Sequence, residues 1–170
     1  MGGRGVALDY QPVAVLGQAR GTHRCRLDDR GRVRLPAQIV TRHAEQDGHR
    51  YVLKPGDDRC LNLYPLSYWE ATANRYAEVD ELDEDATFLR RMFFQGVTEA
   101  TLDKNNRLHF GGEAALLAEE VGIDRDIVVL GVGAHYEIWG ADAYDEHVVR
   151  QRDRAKALRR ERAAAKRVGA

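Results

Sequence analysis

Asp28 and Arg32 stand four residues apart around Gly31, and the same acid-to-arginine spacing returns 75 residues later as Asp103 and Arg107 around Asn106. The full segments read Asp28-Asp29-Arg30-Gly31-Arg32 and Asp103-Lys104-Asn105-Asn106-Arg107. A carboxylate heading such a segment accepts backbone N–H bonds across a tight turn. Gly31 permits a left-handed backbone, and asparagine is the next most tolerant residue there. An arginine held this way presents a planar fork of donors, matched to phosphate oxygens or to the O6/N7 edge of guanine. That chemistry is nucleic-acid recognition. The same residues equally permit a structural pairing of each Asp with its Arg across a hairpin.

The elements around the turns repeat as well. Leu27 aligns with Leu102 and Val33 with Leu108 at the offset of 75. Tyr51-Val52-Leu53 aligns with Ile127-Val128-Val129, slipped by one residue, and Leu63-Tyr64 aligns with Ile138-Trp139 back at 75. Ser67 and Trp69 match Asp142 and Tyr144, each a candidate N-cap followed by an aromatic. Self-similarity of this kind marks a duplicated unit. Each half reads as two strands around the turn, a short helix, two more strands and a helix. The halves span 21–77 and 97–149. A linking helix lies within 78–96, where Phe88, Met92 and Phe93 fall at apolar spacing from Asp83 to Gln95. Residues 1–20 show no clean period and read as a mobile arm. Residues 150–170 form a basic tail, either an exposed helix or disordered. Tyr64, Trp69, Phe88, Phe93, Phe94 and Trp139 read as core or subunit-interface anchors, with Phe93, Phe94 and Trp69 expected to pack halves or neighbouring subunits together.

Charge is distributed unevenly. The chain of 170 residues is −1 overall. From Arg150 to Ala170 nine Arg or Lys stand against two acids, a net of +7, which leaves the first 149 residues at −8. Within that acidic body, Arg20 to Arg50 carries eight basic and four acidic residues, so the first turn is a positive spot flanked by Arg24, Arg26 and Arg34. A local basic patch, rather than the overall charge, is the footprint of a nucleic-acid binder here. Glu78 to Asp85 is acidic and reads as a solvated face. Enzymatic chemistry finds no support. The six histidines make no H-E-x-x-H spacing and the two cysteines, Cys25 and Cys60, make no C-x-x-C pair, so no metal or cofactor is expected. Gly131-Val132-Gly133 leads from strand to strand, against phosphate binding of the dinucleotide type. Both cysteines read as small hydrophobes without a disulfide. His109 alternates outward from Leu108 and Phe110 as a surface strand residue. No apolar run spans a membrane, and no signal pattern opens the chain.

Taken together, these segments resemble the MraZ family, tandem members of the AbrB/SpoVT swapped-hairpin class of bacterial DNA-binding proteins. The resemblance runs from about Arg24 to about His147. It is carried by Asp28 to Arg32 with Leu35-Pro36-Ala37, by Cys60 to Leu66 with Trp69, by Arg90 to Gly96 with Thr98-Glu99 and Leu102-Asp103, and by Gly131-Val132-Gly133 with Glu137-Ile138-Trp139. It implies an α+β fold in which two AbrB-like halves form one interleaved β-barrel with peripheral helices. It implies a cytoplasmic, nucleoid-associated, ring-like homo-oligomer that binds short G-rich direct repeats in double-stranded DNA of its own promoter region. The implied role is transcriptional regulation, as a repressor of the division and cell-wall gene cluster. An antitoxin-type relative whose main partner is a protein is the alternative.

The family's Asp-x-x-x-Arg turn falls on Asp28 to Arg32 and on Asp103 to Arg107. The resemblance makes Arg32 the foremost DNA contact, with Arg30, Arg24 and Arg34 beside it and Lys104 and Arg107 as second-copy equivalents. Asp28, Gly31, Asp103 and Asn106 orient the turns. The second copy departs from the family: Asn106 replaces glycine, and Phe110-Gly111-Gly112 replaces an Ile-Pro-Ala-like run. Its arginine is therefore expected to be less well oriented, and the first turn to carry most of the recognition. The tail's cations either add sequence-independent phosphate contacts or only solubilise the chain.

Overall fold

The computed structural model describes residues 19–77 and 83–168, the last six in backbone only. Of the expected mobile arm, residues 1–20, the first 18 lie outside the described residues, as does the centre of the acidic stretch, 78–82; Ala19 departs from the expectation, being buried and bridged to Gly133. The first hairpin is β1 (Thr22–Arg26) and β2 (Arg32–Arg34), followed by α1 (Ala37–Asp47), β3 (Arg50–Pro55), β4 (Cys60–Pro65) and α2 (Leu66–Ala77). After α3 (Glu84–Phe94) the series recurs as β5 (Thr98–Thr101), β6 (Arg107–His109), α4 (Glu113–Glu120), β7 (Asp126–Gly131), β8 (Tyr136–Gly140) and α5 (Ala141–Val168).

The halves exchange strands. β1 of the first half pairs antiparallel with β7 of the second, and β5 of the second pairs with β3 of the first. The two registers match under the repeat: Cys25 faces Ile127 as Ala100 faces Tyr51. β4 and β8 pair across the middle, with Asn62 opposite Glu137. The strand order is β1-β7-β8-β4-β3-β5, with a separate ribbon of β2 and β6. The hydrogen-bonded ladder does not close, so the expected barrel is here an open six-stranded sheet plus a two-stranded ribbon. The reason lies in the hairpins: β1 is paired to β7 and β2 to β6, so the two arms of each hairpin diverge beyond the turn.

Side chains alternate across a strand and so build two faces. Tyr51, Leu53, Leu61, Leu63, Ile127, Val129, Tyr136 and Ile138 enter the main core together with Val33 and Leu108 of the ribbon, Ile39 of α1 and Ala118 of α4. On the opposite face Val128, Trp139 and Cys60 meet Ala143 of α5, and Val52 and Tyr64 meet Trp69 and Phe93. Ile127-Val128-Val129 is thus buried on both sides, which explains its unbroken apolar run. Burying a side chain of this size stabilises the fold by about 1.5–3 kcal/mol. Both cysteines are free; Cys60 is buried, and desolvation pushes its thiol up to about 12.

Two local readings are corrected. Ser67 is not an N-cap, because α2 begins at Leu66 directly after β4; instead the Ser67 N–H donates to the Asp47 carboxylate at 2.7 Å from the end of α1. Nor do the apolar residues of α3 share one covered face. Phe93 stacks on Trp69 and on Tyr76, with centroids at 4.8 and 4.1 Å, whereas Phe88, Leu89, Met92 and Phe94 are exposed. Asp83 caps α3, accepting from Ala86 N at 3.0 Å.

Candidate nucleic-acid interface

The two turns have the same geometry. In the first, the Asp28 Oδ1 accepts from the backbone N–H of Arg30 at 2.9 Å and of Arg32 at 3.0 Å, and Oδ2 accepts from Arg32 Nε at 2.8 Å. In the second, Asp103 Oδ1 accepts from Asn105 at 2.8 Å and Arg107 at 3.0 Å, and Oδ2 from Arg107 Nε at 2.7 Å. Gly31 and Asn106 both adopt the left-handed conformation, with φ of 66° and 58°. The drift in the second copy has not loosened its arginine. The expected poorer orientation is corrected, because the turn is set by Asp103 and Asn106 and not by the start of α4.

Strand pairing brings the turns together. β2 and β6 run antiparallel with Val33 opposite Leu108, both buried, at the centre of the internal symmetry. Phe110 N–H donates to the Gly31 carbonyl at 2.9 Å, and Leu35 N–H donates to the Asn106 carbonyl at 3.1 Å, so each turn is closed by the other half. Residues flanking the central pair point to the other side of the ribbon. Arg32 lies opposite His109 and Arg34 opposite Arg107. Four basic side chains from both halves therefore share one face. His109 is exposed on its strand, as expected, and joins the arginines on that face. Its signal was the repeat itself, since it occupies the position of Arg34 in the second copy.

The electrostatics tie each arginine to its acid. The hydrogen bond from the Arg32 guanidinium is the largest influence on Asp28 and, against some desolvation, lowers its carboxyl to about 2. Desolvation is the largest influence on Asp103 and opposes its ionisation, yet Arg107 and two backbone N–H groups lower that carboxyl as well. Arg32 is held more strongly protonated by its bond to Asp28, and Asp103 across the ribbon adds to this. The structural pairing and the presentation of the arginine are thus one arrangement. Each guanidinium spends an edge on its acid, and its side chain stays part exposed, at 24% for Arg32 and 29% for Arg107.

The remaining expected contacts divide. Arg30 and Lys104 stand exposed at the turn tips, with neither side chain paired among the described residues. They are not equivalent positions, because Lys104 aligns with Asp29, which pairs with Arg125 at 3.4 Å. Arg34 is exposed on the ribbon. Arg24 is separate: it lies on β1 and its guanidinium is bonded to Asp145 of α5. Gly131 serves the backbone, since a side chain there would strike the chain at Arg20 within 2.3 Å. Among the described residues no group of three His, Cys, Asp or Glu is placed to hold a metal ion, and no helix is long and apolar enough to cross a membrane.

The sequence is similar to known proteins. Residues 19–92 match the family model described as "MraZ protein, putative antitoxin-like". The transcriptional regulator MraZ of Moorella thermoacetica is 32% identical over 138 residues, covering 81% of this chain and 92% of the relative. The transcriptional regulator MraZ of Syntrophomonas wolfei is 31% identical over 75% of this chain and 84% of its own, and that of Limosilactobacillus fermentum is 34% identical over 69% and 78%. With identity above 30% across 78–92% of the length of these relatives, the chain belongs to the MraZ family.

Proposed function

We propose that this protein is a non-enzymatic, DNA-binding transcription regulator whose reading surface is the β2–β6 ribbon with its two turns. The observation that carries this is the pairing of β2 with β6, which sets Arg32, Arg34, Arg107 and His109 on one face and Arg30 and Lys104 at its ends. The ribbon and tips supply guanidinium forks for base edges and point charges for phosphates. Each good bidentate base contact is worth about 1–3 kcal/mol of discrimination, so one ribbon is a weak reader. Several ribbons in a ring add through effective concentration when the DNA presents them at matching intervals. The favoured target is therefore short G-rich direct repeats upstream of its own gene, and the favoured role is repression of the division and cell-wall cluster. We read the exchanged strands as AbrB-like swapped hairpins.

The exposed stripe Phe88, Leu89 and Met92 on α3, with Phe94 nearby, supports self-association, because contiguous apolar surface marks an interaction site. We assign it to a second copy of the chain. On the antitoxin-type reading the same stripe seats a protein partner instead. The test is binding to the upstream DNA against a shuffled duplex of equal length. Wild type prefers the upstream duplex, and Arg32→Ala lowers that preference roughly tenfold or more while keeping its assembly size. Equal binding of both duplexes by wild type contradicts the proposal.

A further inference from the structure

α5 is two structures in one helix. Its first turns belong to the fold: Ala143 is buried, His147 lies against Trp139 with centroids at 4.4 Å, and Asp145 is bonded to Arg24. From Gln151 onward every described side chain is exposed except the half-buried Ala155. The helix nevertheless continues to Val168. Its composition explains this, since Ala, Arg, Lys, Gln and Glu are strong helix formers and no glycine or proline intervenes before Gly169. At 1.5 Å per residue, the part after Arg150 reaches roughly 27 Å beyond its root.

The charges on that part are ordered. Arg152, Lys156 and Arg159 follow at spacings of four and three, which stacks them on one helix face. Arg160 and Arg162 flank that face. Asp153 sits at its margin and pairs with Lys156 at 3.6 Å, while Arg154 and Glu161 lie opposite. Among the described side chains no apolar stripe accompanies the cations, and Leu158 is the one large apolar residue there, exposed. A helix that lies in a membrane surface needs such a stripe, so a lipid bilayer is the wrong partner. A helix that packs on protein needs one too. A row of cations along a straight rod instead matches a linear polyanion, and duplex DNA carries a charge about every 1.7 Å along its axis. Arginine predominates in the row, and its fork fits phosphate oxygens.

We infer that the C-terminal half of α5 is a second DNA contact, an arm that binds the phosphate backbone without regard to sequence. The root of the arm fits this role. Arg24, which holds it, lies on β1, the strand that runs into the first turn. The arm also resolves an electrostatic problem, because the rest of the chain is −8 and repels DNA outside the ribbon. The inference adds to the proposed DNA-binding function, and its test uses DNA that the ribbon does not favour.

The probe is a shuffled duplex of about 30 base pairs, titrated by fluorescence anisotropy over a range of salt. Three proteins are compared: wild type, a chain ending at Arg150, and full-length Arg152→Gln, Lys156→Gln, Arg159→Gln, Arg160→Gln, which keeps the helix formers. Each phosphate contact contributes about 0.9 to the slope of log affinity against log salt, so the quadruple variant is expected to lose about two to four from that slope. The truncated chain loses at least as much. Both lose affinity for the upstream duplex by the same factor, leaving the preference ratio unchanged. An unchanged slope in both variants overturns the inference. A smaller assembly with an unchanged slope also overturns it, and assigns the arm to contact between copies. If wild type binds the shuffled duplex with an arm-dependent slope but shows no preference for the upstream one, the arm stands and the ribbon reading falls.

Discussion

At the residue scale, Asp28 and Asp103 matter more than their charge suggests. Each carboxylate accepts two backbone N–H bonds and a guanidinium bond, which sets the turn and the direction of the arginine. Simple electrostatics says that removing an acid from a DNA-facing surface strengthens binding. The geometry says the reverse, because the arginine loses its anchor. Asp28→Ala is expected to weaken binding to the upstream duplex by roughly ten- to a hundredfold, the scale of one bidentate base contact; tighter binding by anisotropy contradicts the anchoring role. The acid dependence follows from the same bonds. The carboxyl of Asp28 is lowered to about 2 in the folded turn, below the ~3.9 of a free Asp. Its contribution is complete above ~3.9 and is lost as pH falls towards about 2. Titration of the Asp28 carboxyl carbon by NMR checks this, and a midpoint at the free-Asp value excludes the anchored turn.

At the element scale, the left-handed position in each turn separates the two copies. Gly31 tolerates φ of 66° freely, and a Cβ there would come within 3.2 Å of the Phe110 carbonyl. Gly31→Val is expected to destabilise the fold by about 1–3 kcal/mol, the cost of a strained left-handed residue. Asn106→Gly is expected to change stability by no more than about 0.5 kcal/mol, since asparagine already tolerates this region. Thermal unfolding of both variants checks the pair. In α3, Phe93 is clamped between Trp69 and Tyr76 whereas Phe88 is exposed. Phe93→Ala is expected to cost about 3–5 kcal/mol. Phe88→Asp is expected to leave the melting temperature near that of wild type and to shrink the assembly in light scattering; an unchanged assembly removes α3 from the subunit contact.

At the scale of the whole molecule, the duplication was plain in sequence but its use was not. Asp28, Gly31 and their counterparts announced the turns because turn chemistry is local. Tyr51 to Leu53 and Ile127 to Val129 announced strands because a short apolar run is local too. Nothing in a strand's own residues names its partner. The exchange of β1 and β5, and the union of β2 with β6, therefore emerged only in the fold, and with them the place of His109 opposite Arg32. The same limit hid the covered face of α3. Phe88, Met92 and Phe93 share an apolar spacing, and only the return of α3 onto α2 decides that Phe93 is the buried one. The loss of proline before α4 misled in the opposite direction. A weak helix start does not weaken a turn that is closed by Leu35 from the other half.

The central claim is that both turns read DNA together from one ribbon. Its most direct test is the affinity for the upstream duplex, relative to a shuffled one, of Arg32→Ala, Arg107→Ala and the double variant. Because the two arginines are held alike, each single change is expected to lower the preference by a similar factor, roughly tenfold or more, and the double change to remove it. A wild-type preference in Arg107→Ala would contradict the account, since the second turn would then be only a structural copy of the first.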